Sequence, residues 1–214
     1  KGYLPAAVLN YLLLLGWAPE GEQEIFSLDE MIKIWDPARI SKSPAIFDPL
    51  KLRAINAAYI RALPAEEFRR LADPFIDSAV HCDIDRDLLC ANLQPRCEVL
   101  EDIPPQLDFF DAVLPIDAEM YRNKKQKTTP ESAKEALTAL LPVLEAQTDW
   151  TRDAIFDACK TLAEQMEKKN GWLLFPLGIA LSGKARTPGG GTDLAAMMGR
   201  EETLKRVKDA LGKL

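Results

Sequence analysis

Histidine is almost absent from this 214-residue chain, in which His81 stands alone. A metal centre built on paired imidazoles is thereby excluded. The four cysteines, Cys82, Cys90, Cys97 and Cys159, form no C-x-x-C pair to replace it, so no metal ligands are expected. No apolar run approaches the roughly 18 residues of a membrane span. The longest, Tyr11 to Gly16, holds four consecutive leucines and then stops, so no membrane partner is expected. The first residues carry no charged segment followed by an apolar core and a small-residue cleavage site, and a cytoplasmic protein is the expectation. The chain opens at Lys1, already in sequence of folded character, and reads as a fragment. Alternating strands joined by tight Asn-Gly turns are also missing. A basic excess is lacking too, because 27 Lys and Arg against 33 Asp and Glu leave a net charge of −6. That balance speaks mildly against nucleic acid, although a polyanion needs a local patch and not a basic total. Two local runs qualify: Arg122-Asn123-Lys124-Lys125-Gln126-Lys127, and Lys184 to Arg186. Taken alone, each such run is more often a solvated loop than a phosphate site.

What is present are helix start and stop signals. Pro5 opens an apolar stretch that Gly16 closes. Ser27 and Glu30 form a capping box ahead of Met31 to Trp35. Asp48-Pro49 begins a helix carrying Leu52, Ile55, Tyr59 and Ile60. Thr129-Pro130 begins a longer one with Ala133, Leu137, Leu140, Leu141 and Leu144 on one side, in which Pro142 is expected to make a kink. Thr151 caps a stripe of Ile155, Ala158, Cys159, Leu162 and Met166, which Asn170-Gly171 is expected to end. A last helix carries Leu204, Val207 and Leu211. The expected fold is all-α, and these stripes are core faces first. Cys90 and Cys97, seven apart, share a face if the stretch between them is helical, and reduced, mostly buried thiols are expected. Breaks at Leu63-Pro64 and across Arg122 to Thr129 divide the chain into residues 1–63, 64–129 and 130–214.

Catalytic patterns are not found. Gly189-Gly190-Gly191 lacks the Gly-Lys-Ser/Thr of a phosphate loop and reads as a flexible turn. Asp83, Asp85 and Asp87 alternate without the glycine and distal glutamate of a calcium loop. Arg39-Ile40-Ser41-Lys42-Ser43 looks like the KMSKS loop that holds ATP phosphates in class I aminoacyl-tRNA synthetases. The H-x-G-H helix start and nucleotide-binding α/β pattern that work with such a loop do not accompany it. No catalytic residue is therefore assigned.

Three stretches carry a family resemblance. Gly2-Tyr3-Leu4-Pro5, Asn10-Tyr11-Leu12, Leu15-Gly16-Trp17 and Glu24 to Leu28 resemble the segment that follows the KMSKS loop in bacterial-type glutamyl-tRNA synthetases. Arg39 to Asp48 with Lys51-Leu52, Asn56 and Tyr59-Ile60-Arg61 is similar to that family's stem-contact segment. Pro176-Leu177, Ala180 to Gly183, Thr187-Pro188-Gly189 and Gly199 to Leu204 are similar to its terminal anticodon-binding signature. The resemblance implies a helical stem-contact domain (1–63) and two helical anticodon-binding subdomains (64–129 and 130–214). It also implies an upstream catalytic domain of the same polypeptide, which uses ATP and magnesium to attach glutamate to tRNA-Glu. No cofactor is implied for the present chain, and no DNA partner. By the same resemblance Ser41, Lys42, Lys51 and Arg61 contact the tRNA stem, Arg96 reads the third anticodon base, and Thr187 and Pro188 contact the other anticodon bases. Gly178 stands where many members carry an arginine, and the loop after Pro188 has an extra glycine. The competing expectation, from another class, is a helical protein–protein module that has lost RNA binding.

Overall fold

The computed structural model describes residues 1–41 and 45–214. Among the described residues the regular structure is helical, with isolated bridges at Trp17–Ile40 and Asn123–Thr128, as the all-α expectation required. Two compact units are formed, Lys1–Phe75 with Leu93–Ile103 and Ile76–Asn92 with Pro104–Leu214.

The first unit contains α1 (Pro5–Gly16), α2 (Leu28–Ile34), α3 (Pro49–Ala62) and most of α4 (Ala65–Asp77). The starts follow the sequence signals. Ser27 Oγ accepts the Glu30 N–H at 3.2 Å while Glu30 returns a carboxylate to the Ser27 N–H at 2.7 Å. Those bonds to Ser27 hold the Glu30 carboxyl below its ordinary range. Asp48 Oδ1 accepts the Leu50 and Lys51 N–H groups at 2.9 and 3.2 Å. α1 packs on α3, and Ala7, Tyr11, Ile55 and Ile60 are among the buried side chains of the two helices. Two fully buried asparagines clip the loops to these helices. Asn10 Nδ2 donates to the Glu24 carbonyl (2.8 Å), and its Oδ1 accepts from the Phe26 N–H (2.8 Å) and the Tyr59 hydroxyl (2.9 Å). Asn56 Oδ1 accepts the Leu4 N–H at 2.8 Å, and its Nδ2 donates to the Glu98 carbonyl at 2.5 Å. Satisfied amides of this kind fix loop geometry, because either partner left alone would be a desolvated orphan. At Gly2, φ is +76° and a Cβ would lie 2.7 Å from Leu100 Cβ, so the close approach requires glycine.

The second unit contains α5 (Arg86–Leu93, its last residue excepted), α6 (Pro130–Ala146), α7 (Arg152–Gln165), α8 (Asn170–Ser182) and α9 (Gly191–Leu211). α8 lies at the centre and touches α6, α7 and α9. It is apolar on all sides, as a helix enclosed by others must be, and so offers no stripe to a periodicity reading. Thr129 caps α6, which continues through Pro142, and Thr151 Oγ1 caps α7 by accepting the Ala154 N–H at 3.4 Å. Asn170-Gly171 does not end α7, as the sequence suggested. α7 stops at Gln165, and Asn170 is the first residue of α8. Arg206 is 2% exposed and organises the unit. Its Nη1 donates to the carbonyls of Phe109 (2.7 Å) and Leu181 (2.6 Å), Nη2 to that of Phe110 (2.5 Å), and Nε to Glu202 (2.7 Å). Within α9, Gly199 adopts φ 78°, ψ 171°, which divides the helix into 191–198 and 200–211. The Met197 carbonyl then accepts the Asp85 N–H at 3.0 Å, and Glu201 and Glu202 fall in the first turn of the second half, where the helix dipole favours them.

Cys90 and Cys97 do not share a helical face, since the chain leaves α5 at Leu93 and the two residues fall in different units. Cys90, Cys97 and Cys159 are buried and Cys82 is exposed. Burial pushes both the Cys97 and Cys159 thiols up to about 12.

Candidate nucleic-acid interface

Arg96 ends the single-turn helix Gln94–Arg96 in the first unit and is exposed. The segment under it is pinned. Gln94 Nε2 donates to the Ile60 and Leu63 carbonyls, at 3.0 and 2.8 Å, closing the C-terminus of α3, while Asn56 holds the Glu98 carbonyl on the other side. Cys97 packs inward at 2% exposure, which leaves Arg96 outward. No ion-pair or hydrogen-bond partner meets its guanidinium among the described residues, unlike nearby Arg53, which both Glu98 and Asp102 hold. Those two bonds raise the Arg53 guanidinium above its already high ordinary value.

Arg61, exposed in the last turn of α3, is likewise without a partner among the described residues. Lys51, in the first turn of the same helix, pairs with Glu24 at 2.5 Å with both side chains substantially exposed. Such a pair contributes about 0–1 kcal/mol and yields readily to a phosphate. Ser41 is exposed, and its N–H donates to the Gly16 carbonyl at 2.8 Å. Lys42 lies outside the described residues.

Thr187 and Pro188 belong to the second unit, in the connection from α8 to α9. Gly183, at φ 68°, ends α8 in the left-handed conformation. Lys184 is tied down by Asp108 and by the Pro105 carbonyl at 2.9 Å, over the Phe109 ring at 5.9 Å. Of the basic run read from the sequence, Arg186 alone is left exposed without a partner among the described residues. The half-buried Thr187 donates its hydroxyl to the Gly189 carbonyl at 2.5 Å, and Pro188 is buried. The three glycines that follow are not a loose turn. A Cβ on Gly189 would lie 2.5 Å from Asp193 Cβ, and one on Gly191 would lie 2.7 Å from the Leu174 carbonyl oxygen. They let α9 start against α8, with the Gly190 N–H donating to Asp193 at 2.7 Å. Gly178 faces this start, and a Cβ there would make ordinary contacts of 3.8 and 3.9 Å with Gly191.

The residues singled out by sequence are thus divided: Ser41, Lys51, Arg61 and Arg96 on the first unit, Thr187 and Pro188 on the second. Asn56 and Gln94, which hold the Arg96 segment, were not recognised as such. An isolated amide on an otherwise apolar helix face was the available signal. Among the described residues no three of His, Cys, Asp and Glu gather to hold a metal ion, and no helix is long and apolar enough to cross a membrane.

What this helical scaffold and its basic, hydroxyl-bearing segments define is an anticodon-binding domain. Residues 52–211 match the family described as "Anticodon binding domain", and the chain belongs to it. Residues 1–54 match a second description, the catalytic domain of class I tRNA synthetases (E and Q). Among curated proteins, the glutamate–tRNA ligase of Clostridium botulinum strain Hall is 45% identical over the entire chain, and that of Clostridium acetobutylicum 43% identical. In both cases the chain spans 44% of the relative's length. Two solved structures are similar. A glutamate tRNA ligase from Elizabethkingia meningosepticum has a TM-score of 0.85 at 28% identity, with 100% of this chain and 42% of that one covered. A glutamate-tRNA synthetase from Elizabethkingia anophelis has a TM-score of 0.81 at 25% identity, covering 99% and 41%.

Proposed function

We propose that this chain is the tRNA-recognising part of a glutamate–tRNA ligase, an enzyme that attaches glutamate to tRNA-Glu with ATP and magnesium in the cytoplasm during protein synthesis. The observation that carries the reading is the junction: one chain matches a class I catalytic-domain family over 1–54 and then an anticodon-binding domain over 52–211. Residues 1–63 would meet the stem through Ser41, Lys42, Lys51 and Arg61. Residues 64–129 and 130–214 would grip the anticodon, with Arg96 at its third base and Thr187 and Pro188 near the others. The buried Pro188 and the engaged Thr187 hydroxyl suit a role in shaping the backbone that meets the bases.

An apolar groove of about 570 Å³ supports an upstream catalytic domain in the same polypeptide. It is lined by Leu9, Leu12, Leu13, Trp17, Ile32 and Trp35, within the segment that matches the catalytic family. Exposed leucines and isoleucines of this density mark a face that another surface covers. The alternative, a protein–protein module without RNA binding, is not favoured by the family match.

Arg96 provides the test. Glutamate anticodons end in C, glutamine anticodons in G. Unpaired cytosine offers the acceptors O2 and N3, whereas guanine turns N1–H and N2–H₂ donors over the same edge. An arginine has donors alone and satisfies the first. Arg96→Gln should narrow the affinity gap between the two third-base variants of one tRNA by about 1–3 kcal/mol at fixed salt. An unchanged ratio removes Arg96 as reader, and an unmodified chain that binds neither tRNA removes the functional reading itself.

A further inference from the structure

The basic run at residues 122–127 is not absorbed by the site above. Its shape is fixed from within. Asn123 and Thr128 exchange both backbone hydrogen bonds at 3.0 Å, and Asn123 Oδ1 accepts the Lys125 and Gln126 N–H groups at 3.0 and 3.1 Å. Thr128 Oγ1 donates to the Tyr121 carbonyl at 2.7 Å, and Lys127 completes the turn at φ 56°. Arg122 is taken up by Glu119 through two bonds of 2.6 and 2.9 Å. Lys124, Lys125 and Lys127 are exposed and have no acidic partner among the described residues. Lys51, Lys184, Lys205 and Lys208 each pair with a carboxylate, and what marks the loop is three unpaired lysines within four residues of one fixed turn.

Gln126 extends the patch. Its side chain lies where a Cβ on Gly171 would be, 1.8 Å from that position, so the glycine admits it onto the first turn of α8. The loop is thereby seated beside Lys168 and Lys169, which lead into that helix. α8 has 13 residues, no side-chain cap on its first N–H groups and no acid in its first turn, and Lys168 lies 5.3 Å from the Trp172 ring centroid. Lysines at the positive end of a helix repel its dipole, an arrangement that an anion relieves. The carboxylate next to them in sequence is Glu167.

We infer that the 124–127 loop, with Lys168 and Lys169, is a preformed grip for the sugar-phosphate backbone of RNA, a use that rests on the tRNA-binding reading above. The loop has no aromatic side chain on which a base could stack, so the grip is independent of base sequence. In a chain of net charge −6, affinity for a polyanion has to be concentrated in such patches.

The test is a salt titration of tRNA binding by the 214-residue chain and by Lys124→Ala/Lys125→Ala/Lys127→Ala. The triple variant should flatten the slope of log affinity against log salt by about two to three units. It should leave the ratio between third-base anticodon variants unchanged. The substitutions are on an exposed loop, and circular dichroism verifies the fold. Lys→Arg at the same three positions should restore the slope. If the unmodified chain binds tRNA and the triple variant keeps its slope and affinity, this inference is overturned while the tRNA reading stands. If the unmodified chain shows no salt-dependent tRNA binding, both fall. Tighter, lysine-dependent binding of polyglutamate than of tRNA would overturn the inference in favour of an acidic protein partner.

Discussion

The two units solve the problem of buried polarity differently. In the first, neutral amides do the joining: Asn10 and Asn56 tie loops to helices with no charge below the surface. In the second, a charged guanidinium, that of Arg206, is enclosed and spread over three carbonyls and a carboxylate. Their surfaces differ as well. Every large apolar side chain exposed among the described residues lies between Leu9 and Leu50, on the first unit. The unpaired lysine loop lies on the second. Exposed apolar side chains and the unpaired lysine loop are thus segregated, one to each unit.

Breaking the comparison at its strongest point means removing Arg206. Arg206→Met keeps the length and leaves three carbonyls without donors, which should cost about 3–5 kcal/mol. Urea unfolding followed by intrinsic fluorescence would measure it, and a loss below about 1 kcal/mol would show that water replaces the guanidinium. Asn10→Ala should cost about 2 kcal/mol, since the Phe26 N–H and Glu24 carbonyl lose one shared partner. The same denaturation series decides whether neutral clips are cheaper to lose than the charged one. The smallest effect belongs to the apolar groove. Ile32 is 67% exposed, so Ile32→Gln should change stability by no more than about 0.5 kcal/mol. A loss as large as that of Asn10→Ala would mean that the groove is part of this chain's own core.

Much of this was legible in the sequence, and the reasons it stopped are physical. Helices with a polar face and a capping residue, such as α2, α3, α6 and α7, announce themselves through period and cap. α8 does not, because burial on all sides erases the period, and Asn170-Gly171 at its start imitates a helix end. α4, which carries Pro74 near its end, is not among the helices read from the sequence. The candidate site residues come from family resemblance and not from chemistry. The motif residues Asn10 and Asn56 turn out to hold the architecture, whereas Arg96 and Arg61 stand exposed without partners among the described residues. A motif in a linear sequence does not separate residues that touch a ligand from those that place them. Burial and pairing do.

Gly199 has a consequence for how substitutions at that position should be judged. No atom lies within 4 Å of where its Cβ would be, so by available room any small side chain would be welcome. Yet φ 78°, ψ 171° is a conformation that side chains rarely adopt, and an alanine would have to give it up. Relaxing it would run α9 on as one rod. The Met197 carbonyl would return to the helix ladder, Glu201 and Glu202 would lose their place at a helix start, and Arg206, carried with the second half, would shift against the carbonyls of Phe109, Phe110 and Leu181. A change of one methyl group on the surface would therefore be felt at a guanidinium in the centre of the unit, through torsion alone.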